Sequence, residues 1–154
     1  MEKFIVDRTL GKLARKLRVL GFDVAYRGGG NLEEATRAAL TEGRLLLTRS
    51  RRMREKVKGL NIFIVEANDP PEQVREVLAK LNLQPTPCRF FSRCLLCNES
   101  LLAIPKEEVE ERVPDFIYRV YDSFHVCPRC QRIYWPGTHF LRMKKEFPGT
   151  TGKD

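Results

Sequence analysis

Two cysteine pairs, Cys94-Leu95-Leu96-Cys97 and Cys127-Pro128-Arg129-Cys130, constrain this chain more than any other feature; 29 residues separate the inner cysteines. Each pair can turn a knuckle that presents two thiolates, and four thiolates at about 2.3 Å close a tetrahedral zinc site with no open position for catalysis. Cys94, Cys97, Cys127 and Cys130 are therefore expected to hold structural zinc. The competing readings are two disulfides or two redox pairs, against which stand the pairing of the knuckles and an amino terminus, MEKFIVDRTL, without a signal-peptide pattern. Cys88 is left over as a packed or exposed thiol. Between the knuckles, Leu101 to Ile104 and Phe116 to Phe124 read as strands, and Lys106 to Glu111 as an acidic loop or helical turn bounded by Pro105 and Pro114. The expectation is a small zinc ribbon that metal binding holds together.

All five cysteines follow the proline-broken stretch Gln84-Pro85-Thr86-Pro87. The chain is accordingly divided into a first unit, 1–85, a ribbon, 86–145, and a flexible tail, 146–154. The first unit alternates short apolar runs with helical patterns. Phe4-Ile5-Val6, Val24-Ala25-Tyr26, Leu45-Leu46-Leu47 and Ile62-Phe63-Ile64-Val65 are continuous, as strands covered on both faces should be. Leu10, Leu13, Leu17 and Leu20 recur at helical spacing, with Gly21 closing that helix. Further helices are expected from Leu32 to Thr41 behind an Asn31 cap, from Arg51 to Lys58, and from Pro70 to Leu81. Strand and helix alternating four times predicts an α/β fold, a mostly parallel sheet flanked by helices.

Ligands of such sheets gather at the carboxyl ends of the strands. Here those ends carry Asp7, then Thr48, Arg49 and Ser50, then Glu66, Asn68 and Asp69. Carboxylates from different strand ends can converge on divalent metal ions that activate water against a phosphodiester. Each acid also has a plainer reading. Asp7 precedes a helix and either caps it or serves catalysis; Asp69, in Asp69-Pro70-Pro71-Glu72, has the stronger pattern of a cap. Glu33 and Glu34 either compensate a helix dipole or turn one carboxylate inward, with Glu34 preferred.

The chain carries 28 Lys and Arg against 20 Asp and Glu, and six of the eight excess positive charges lie within 1–85. That balance favours a polyanionic partner, nucleic acid first. Seven basic residues against one acid lie between Arg44 and Lys58, among them Arg49, Arg51, Arg52 and Arg54, while Lys12 and Arg15 take the polar face of the first helix. Trp135 and Tyr134 either stack on bases or form the minimal core of the ribbon. His139 is a substrate contact, a structural histidine or, less readily, a ligand; His125 is a strand residue. No apolar run is long enough to span a bilayer, so no membrane is expected, and the start of the chain reads as cytoplasmic.

Phe4-Ile5-Val6-Asp7, Leu10-Gly11-Lys12-Leu13-Ala14-Arg15, Leu17-Arg18, Leu20-Gly21-Phe22-Asp23, Glu42-Gly43-Arg44 and Leu46-Leu47-Thr48-Arg49 resemble the Mut-seven C-terminal ribonuclease domain family. Cys94 to Asn98, Val113-Pro114, Tyr121-Asp122-Ser123-Phe124, Cys127 to Cys130 and Tyr134 to His139 resemble its zinc ribbon in order and spacing. The resemblance implies a PIN-like fold whose acidic edge binds Mg2+ or Mn2+ and cleaves RNA, single-stranded RNA being the expected partner. It implies that Asp7 is the first-strand aspartate, that Glu33 or Glu34 matches the acids of the second helix, and that Asp23 matches a Gly-x-Asp motif. Ser50 stands where the family pattern has an aspartate. Either Asp69, Asp23 or a glutamate supplies that carboxylate, or the chain is a weakened enzyme that retains RNA binding. An adaptor whose ribbon docks a protein is the remaining alternative.

Overall fold

A computed structural model describes residues 2–27, 29, 31–55, 58–137, 142 and 145, without the side chains of Arg54 and Glu55. Contacts divide the chain into two compact units, 1–18 with 22–84 and 19–21 with 85–154.

The first unit is a four-stranded sheet, β1 (Lys3–Val6), β2 (Asp23–Ala25), β3 (Leu45–Thr48) and β4 (Ile62–Ile64), in the order β2-β1-β3-β4. Every pairing is parallel: Ile5 lies beside Ala25 and Leu46, and Leu47 beside Phe63. Helix α1 (Gly11–Val19) connects β1 to β2, α2 (Leu32–Glu42) connects β2 to β3, and α3 (Pro70–Lys80) follows β4. Phe4, Ile5, Val6, Leu46 and Leu47 are all fully buried, which is why the strands read as unbroken apolar runs. Side chains alternate across a strand, so Ile5, Ala25 and Leu46 share one face and pack with Ala35, Ala38 and Ala39 of α2. These alanines let the helix lie close. Asn31 caps α2 as expected, accepting from the backbone of Glu33, and Gly43 ends it in the left-handed conformation.

Two expectations need correction. The basic run from Arg51 forms a 3-10 helix, Arg51–Glu55, in place of an α-helix to Lys58. Arg51 with Arg54, and Arg54 with Lys58, would set like charges one turn apart on an α-helix, which disfavours it. In the second unit the segment from Phe116 is a helix, α4 (Asp115–Val120), before strand β6 (Phe124–Val126) begins. Pro114 fixes the entry, Asp115 supplies a first-turn acid, and Tyr118 N–H donates to Pro114 O at 3.0 Å.

The second unit is otherwise a three-stranded antiparallel sheet, β5 (Leu102–Ile104), β6 and β7 (Ile133–Tyr134), in that order. Its core is small: Val109, Val113 and Phe124, flanked by Ile104, Ile117, Tyr118, Tyr121, Ile133 and Trp135. Gly21, grouped with this unit, has φ +94°, and a Cβ there would meet the Arg89 carbonyl oxygen at 2.5 Å. No helix among the described residues is long and apolar enough to cross a membrane.

Candidate functional site

The strand order makes the chain leave β1 and β3 in opposite directions, so their carboxyl ends form the switch point at which parallel sheets take ligands. Asp7 follows β1 directly, and Thr48 ends β3. Asp7 is 7% exposed, and both its oxygens are engaged. Oδ1 accepts from the Thr9 backbone at 2.8 Å and the Thr9 hydroxyl at 2.5 Å; Oδ2 accepts from the Thr48 hydroxyl at 2.5 Å. Thr48 Oγ1 in turn accepts from the Ser50 backbone at 3.1 Å. Asp7 therefore caps the turn Arg8–Leu10 and is also fixed across the strand boundary. A carboxylate oxygen has two lone-pair directions, so the Thr9 and Thr48 donors fix the orientation of this group. In the sequence Thr48 stands out only as a strand-end residue without a role, and Thr9 does not stand out at all. The available signal was a threonine two residues after the acid and another ending a neighbouring strand.

Among the described residues, Asp7 belongs to no group of three or more potential metal ligands. Glu33 and Glu34 are exposed in the first turn of α2, with Glu34 paired to Arg37 at 3.2 Å. Asp69 is exposed at the start of α3, and its side chain makes no capping bond. Asp23 lies at the opposite edge of the sheet, beside Lys3 at the start of β1, with its carboxylate 2.7 Å from Arg44. Among the described residues, the cysteines are the one group of three or more Cys, His, Asp or Glu placed to hold an ion.

Of the candidate basic residues, Lys12, Arg15, Arg51 and Arg52 are exposed. Arg49 is exposed too, but its guanidinium donates to Ala67 O and, at 2.6 Å, to Asn68 Oδ1 in the loop before α3. Glu76 fixes that loop from below, accepting from the backbone of Glu66 at 2.9 Å and of Ala67 at 3.3 Å. The side chain of Arg54 and all of His139 lie outside the described residues. Trp135 is half-buried, its ring edge-on to Phe124 at 6.4 Å, within the ribbon core.

The four cysteine sulfurs all lie within 4.8 Å of one another. Cys94 and Cys130 are 3.7 Å apart, and a tetrahedron with metal–sulfur bonds of about 2.3 Å needs about 3.8 Å. The two knuckles match bond for bond. Cys94 N–H donates to Glu99 O at 2.8 Å, and Cys127 N–H to Arg132 O at 2.9 Å. Cys97 N–H donates to Cys94 Sγ, and Cys130 N–H to Cys127 Sγ, both at 3.4 Å. Asn98 and Gln131, which follow the second cysteine of each, share φ 66°. Tyr134, read from sequence as a stacking or core residue, places its hydroxyl 3.0 Å from Cys94 Sγ. Burial pushes the Cys97 and Cys127 thiols up, Cys97 to about 12. Burial acts in the same sense on Cys94, but the Tyr134 hydroxyl and the backbone of Cys97 outweigh it and lower that thiol to about 7. The donor set and its spacing suit a metal such as zinc.

A parallel α/β sheet with an oriented carboxylate at its switch point, followed by a four-thiol module compatible with a zinc ribbon, defines the class. The chain belongs to the Mut7-C RNAse domain family, whose model matches residues 2–147. It is 33% identical over 101 residues to the human exonuclease mut-7 homolog, a match taking in 62% of this chain and 12% of that protein. The chain thus corresponds to a small fraction of that relative's length. No solved structure matches it. Membership in an RNAse domain family supports a nuclease-type function with RNA as the substrate class.

Proposed function

We propose that this chain is a divalent-metal-dependent endoribonuclease of PIN-like type, with the reacting phosphodiester at the carboxyl ends of β1 and β3. The observation that carries the reading is Asp7, buried at the switch point and oriented by Thr9 and Thr48. Magnesium needs only one or two protein carboxylates when substrate phosphate and water complete its shell. Asp7 would hold such an ion, Mg2+ or Mn2+, with Glu34 or Glu33 as the second acid, since α2 begins on the carboxyl side of the sheet. The ion, when bound, supplies a Lewis acid and an acidified water. The chain's own residues do the rest. Asp7 keeps a fixed negative charge at the reacting phosphate, and Lys12, Arg15, Arg51 and Arg52, with Arg54, draw the backbone of single-stranded RNA along the surface. Arg49, tied to the loop before α3, would present its guanidinium at the same edge. In this reading the nuclease residues belong to 1–85, and zinc held by Cys94, Cys97, Cys127 and Cys130 is structural within 86–145.

Cleavage of labelled single-stranded RNA with manganese or magnesium tests the reading. The natural chain should cut, Asp7→Asn should not, and RNA affinity should fall with rising salt. A second reading, an RNA-binding module without turnover, is favoured by Ser50 at the position of the family's aspartate and by the dispersed acids. It predicts that the natural chain binds RNA without cutting it. If Ser50→Asp alone then cuts, the scaffold is a nuclease disarmed at one position.

A further inference from the structure

We propose that Tyr134 is an outer anchor of the four-cysteine site, its hydroxyl fixing the Cys94 sulfur and setting how tightly the site holds zinc; this rests on the zinc reading above. Tyr134 belongs to β7, which pairs with β6, the strand leading into the second knuckle: His125 lies beside Tyr134. Its side chain reaches instead to the first knuckle. There the Leu95 N–H donates to the Tyr134 oxygen at 3.2 Å, which occupies the acceptor side of the hydroxyl and leaves its proton for Cys94 Sγ at 3.0 Å. The sulfur of Cys94 thus accepts both the Cys97 N–H and the Tyr134 O–H.

The second knuckle takes the same shape with the same backbone bonds, so the tyrosine is not needed to turn a knuckle. What it adds is a charge-assisted bond to a fully buried sulfur. Zinc with four thiolates carries net negative charge, and donors aimed at sulfur are what make such a site tolerable away from water. The same bond ties the last strand of the ribbon to its first metal ligand, so the pull of the metal is transmitted to β7.

The test uses the full chain loaded with zinc and competed against a chromophoric chelator. Tyr134→Phe should weaken zinc binding by about 10- to 100-fold. Tyr118→Phe, a hydroxyl loss elsewhere in the same core, should leave it unchanged. In the cobalt-loaded protein, the sulfur-to-metal charge-transfer bands should shift in Tyr134→Phe and stay put in Tyr118→Phe, a signature that lost packing alone does not produce. Unchanged affinity and unchanged bands in Tyr134→Phe overturn the proposal. A natural chain that holds neither zinc nor cobalt through thiolates overturns the zinc reading instead. Should Tyr134→Phe fail to fold, cadmium-113 NMR of the natural chain decides. Coupling between the Tyr134 hydroxyl proton and the metal supports the bond, and a freely exchanging, uncoupled hydroxyl overturns it.

Discussion

The cysteine site and the Asp7 edge are built on opposite plans. At the cysteines every donor is in place: four sulfurs within 4.8 Å, two matching knuckles and a tyrosine against one sulfur. At the carboxyl edge one carboxylate is oriented with equal care, yet the other acids are exposed or lie elsewhere. The difference is chemical. In the proposed function, a structural ion must be held by the chain alone, whereas a phosphodiester would bring its own oxygens and charge, so the second site would need to be completed only when substrate arrives.

Metal removal tests that contrast most severely. Among the described residues the ribbon's core cluster is small, with Val109, Val113 and Phe124 buried, so in the zinc reading the metal supplies most of the folding free energy, of the order of 10–16 kcal/mol for structural zinc. A strong chelator should collapse the dispersed amide NMR signals of β5, β6 and β7 while those of β1 to β4 persist. Signals of both sheets lost together would mean that the first sheet depends on the ribbon.

The amino-side edge of the parallel sheet offers the next contrast, for there Arg44 is held by two carboxylates of the chain. Arg44 pairs with Asp23 at 2.7 Å and with Glu42 at 3.1 Å, and donates to Phe4 O at 3.2 Å. With side chains 10% and 16% exposed, the Arg44–Asp23 pair is largely buried, and Arg44→Met should cost about 3 kcal/mol in urea unfolding. A hydrogen bond from Arg27, helped by Arg44 and opposed by burial, holds the Glu42 carboxyl below its ordinary 4.5. A lowered folded-state value contributes stability that is full above pH 4.5 and is lost as pH falls through the folded value. Arg44→Met should therefore flatten the acid limb of the stability profile.

What the sequence revealed follows from which forces are local. Continuous apolar runs and the Asn31 and Gly43 caps identify strands and helix ends, because burial on both faces and orphan backbone groups dictate those residue types. The cysteine spacing identifies its site because each pair is a local turn. Asp7 was legible as the acid ending a strand, but its hold on Thr48 spans 41 positions and depends on β1 lying beside β3. Asp23 was singled out by a Gly-x-Asp motif, and the parallel pairing of β1 with β2 places it beside Lys3 at the edge opposite Asp7. The segment from Phe116 read as a strand from its aromatic and branched residues, whereas Ile117, Tyr118 and Tyr121 meet the ribbon core at helical spacing.

Thr48 allows the orientation of Asp7 to be removed without removing its charge. Thr48→Val keeps the shape, but it deprives Asp7 Oδ2 and the Ser50 N–H of the bonds described above. A stability loss of about 1–3 kcal/mol is expected, recovered by Thr48→Ser. If Asp7 works as proposed, RNA cleavage should fall in Thr48→Val even at temperatures where the protein remains folded, and Thr48→Ser should restore that as well. Cleavage unaffected by Thr48→Val would mean that the carboxylate needs no preset orientation and would break the contrast at its centre.

The smallest effect tests the likeness of the knuckles. Both require a left-handed residue after the second cysteine; Asn98 suits that conformation, but Gln131 does not. Gln131 compensates in part through its side chain, which donates to Pro128 O at 3.1 Å, while its carbonyl accepts from Arg112 at 2.7 Å. Replacing it by asparagine preserves an amide and relieves the backbone, so Gln131→Asn should raise stability by a few tenths to about 1 kcal/mol and slow zinc loss to a chelator. Gln131→Gly gains more backbone freedom but forfeits the bond to Pro128, so it should fall between the two. Should Gln131→Asn prove destabilising, the glutamine's reach to Pro128 would outweigh the strain at φ 66°, and the two knuckles would be alike in shape but not in what maintains it.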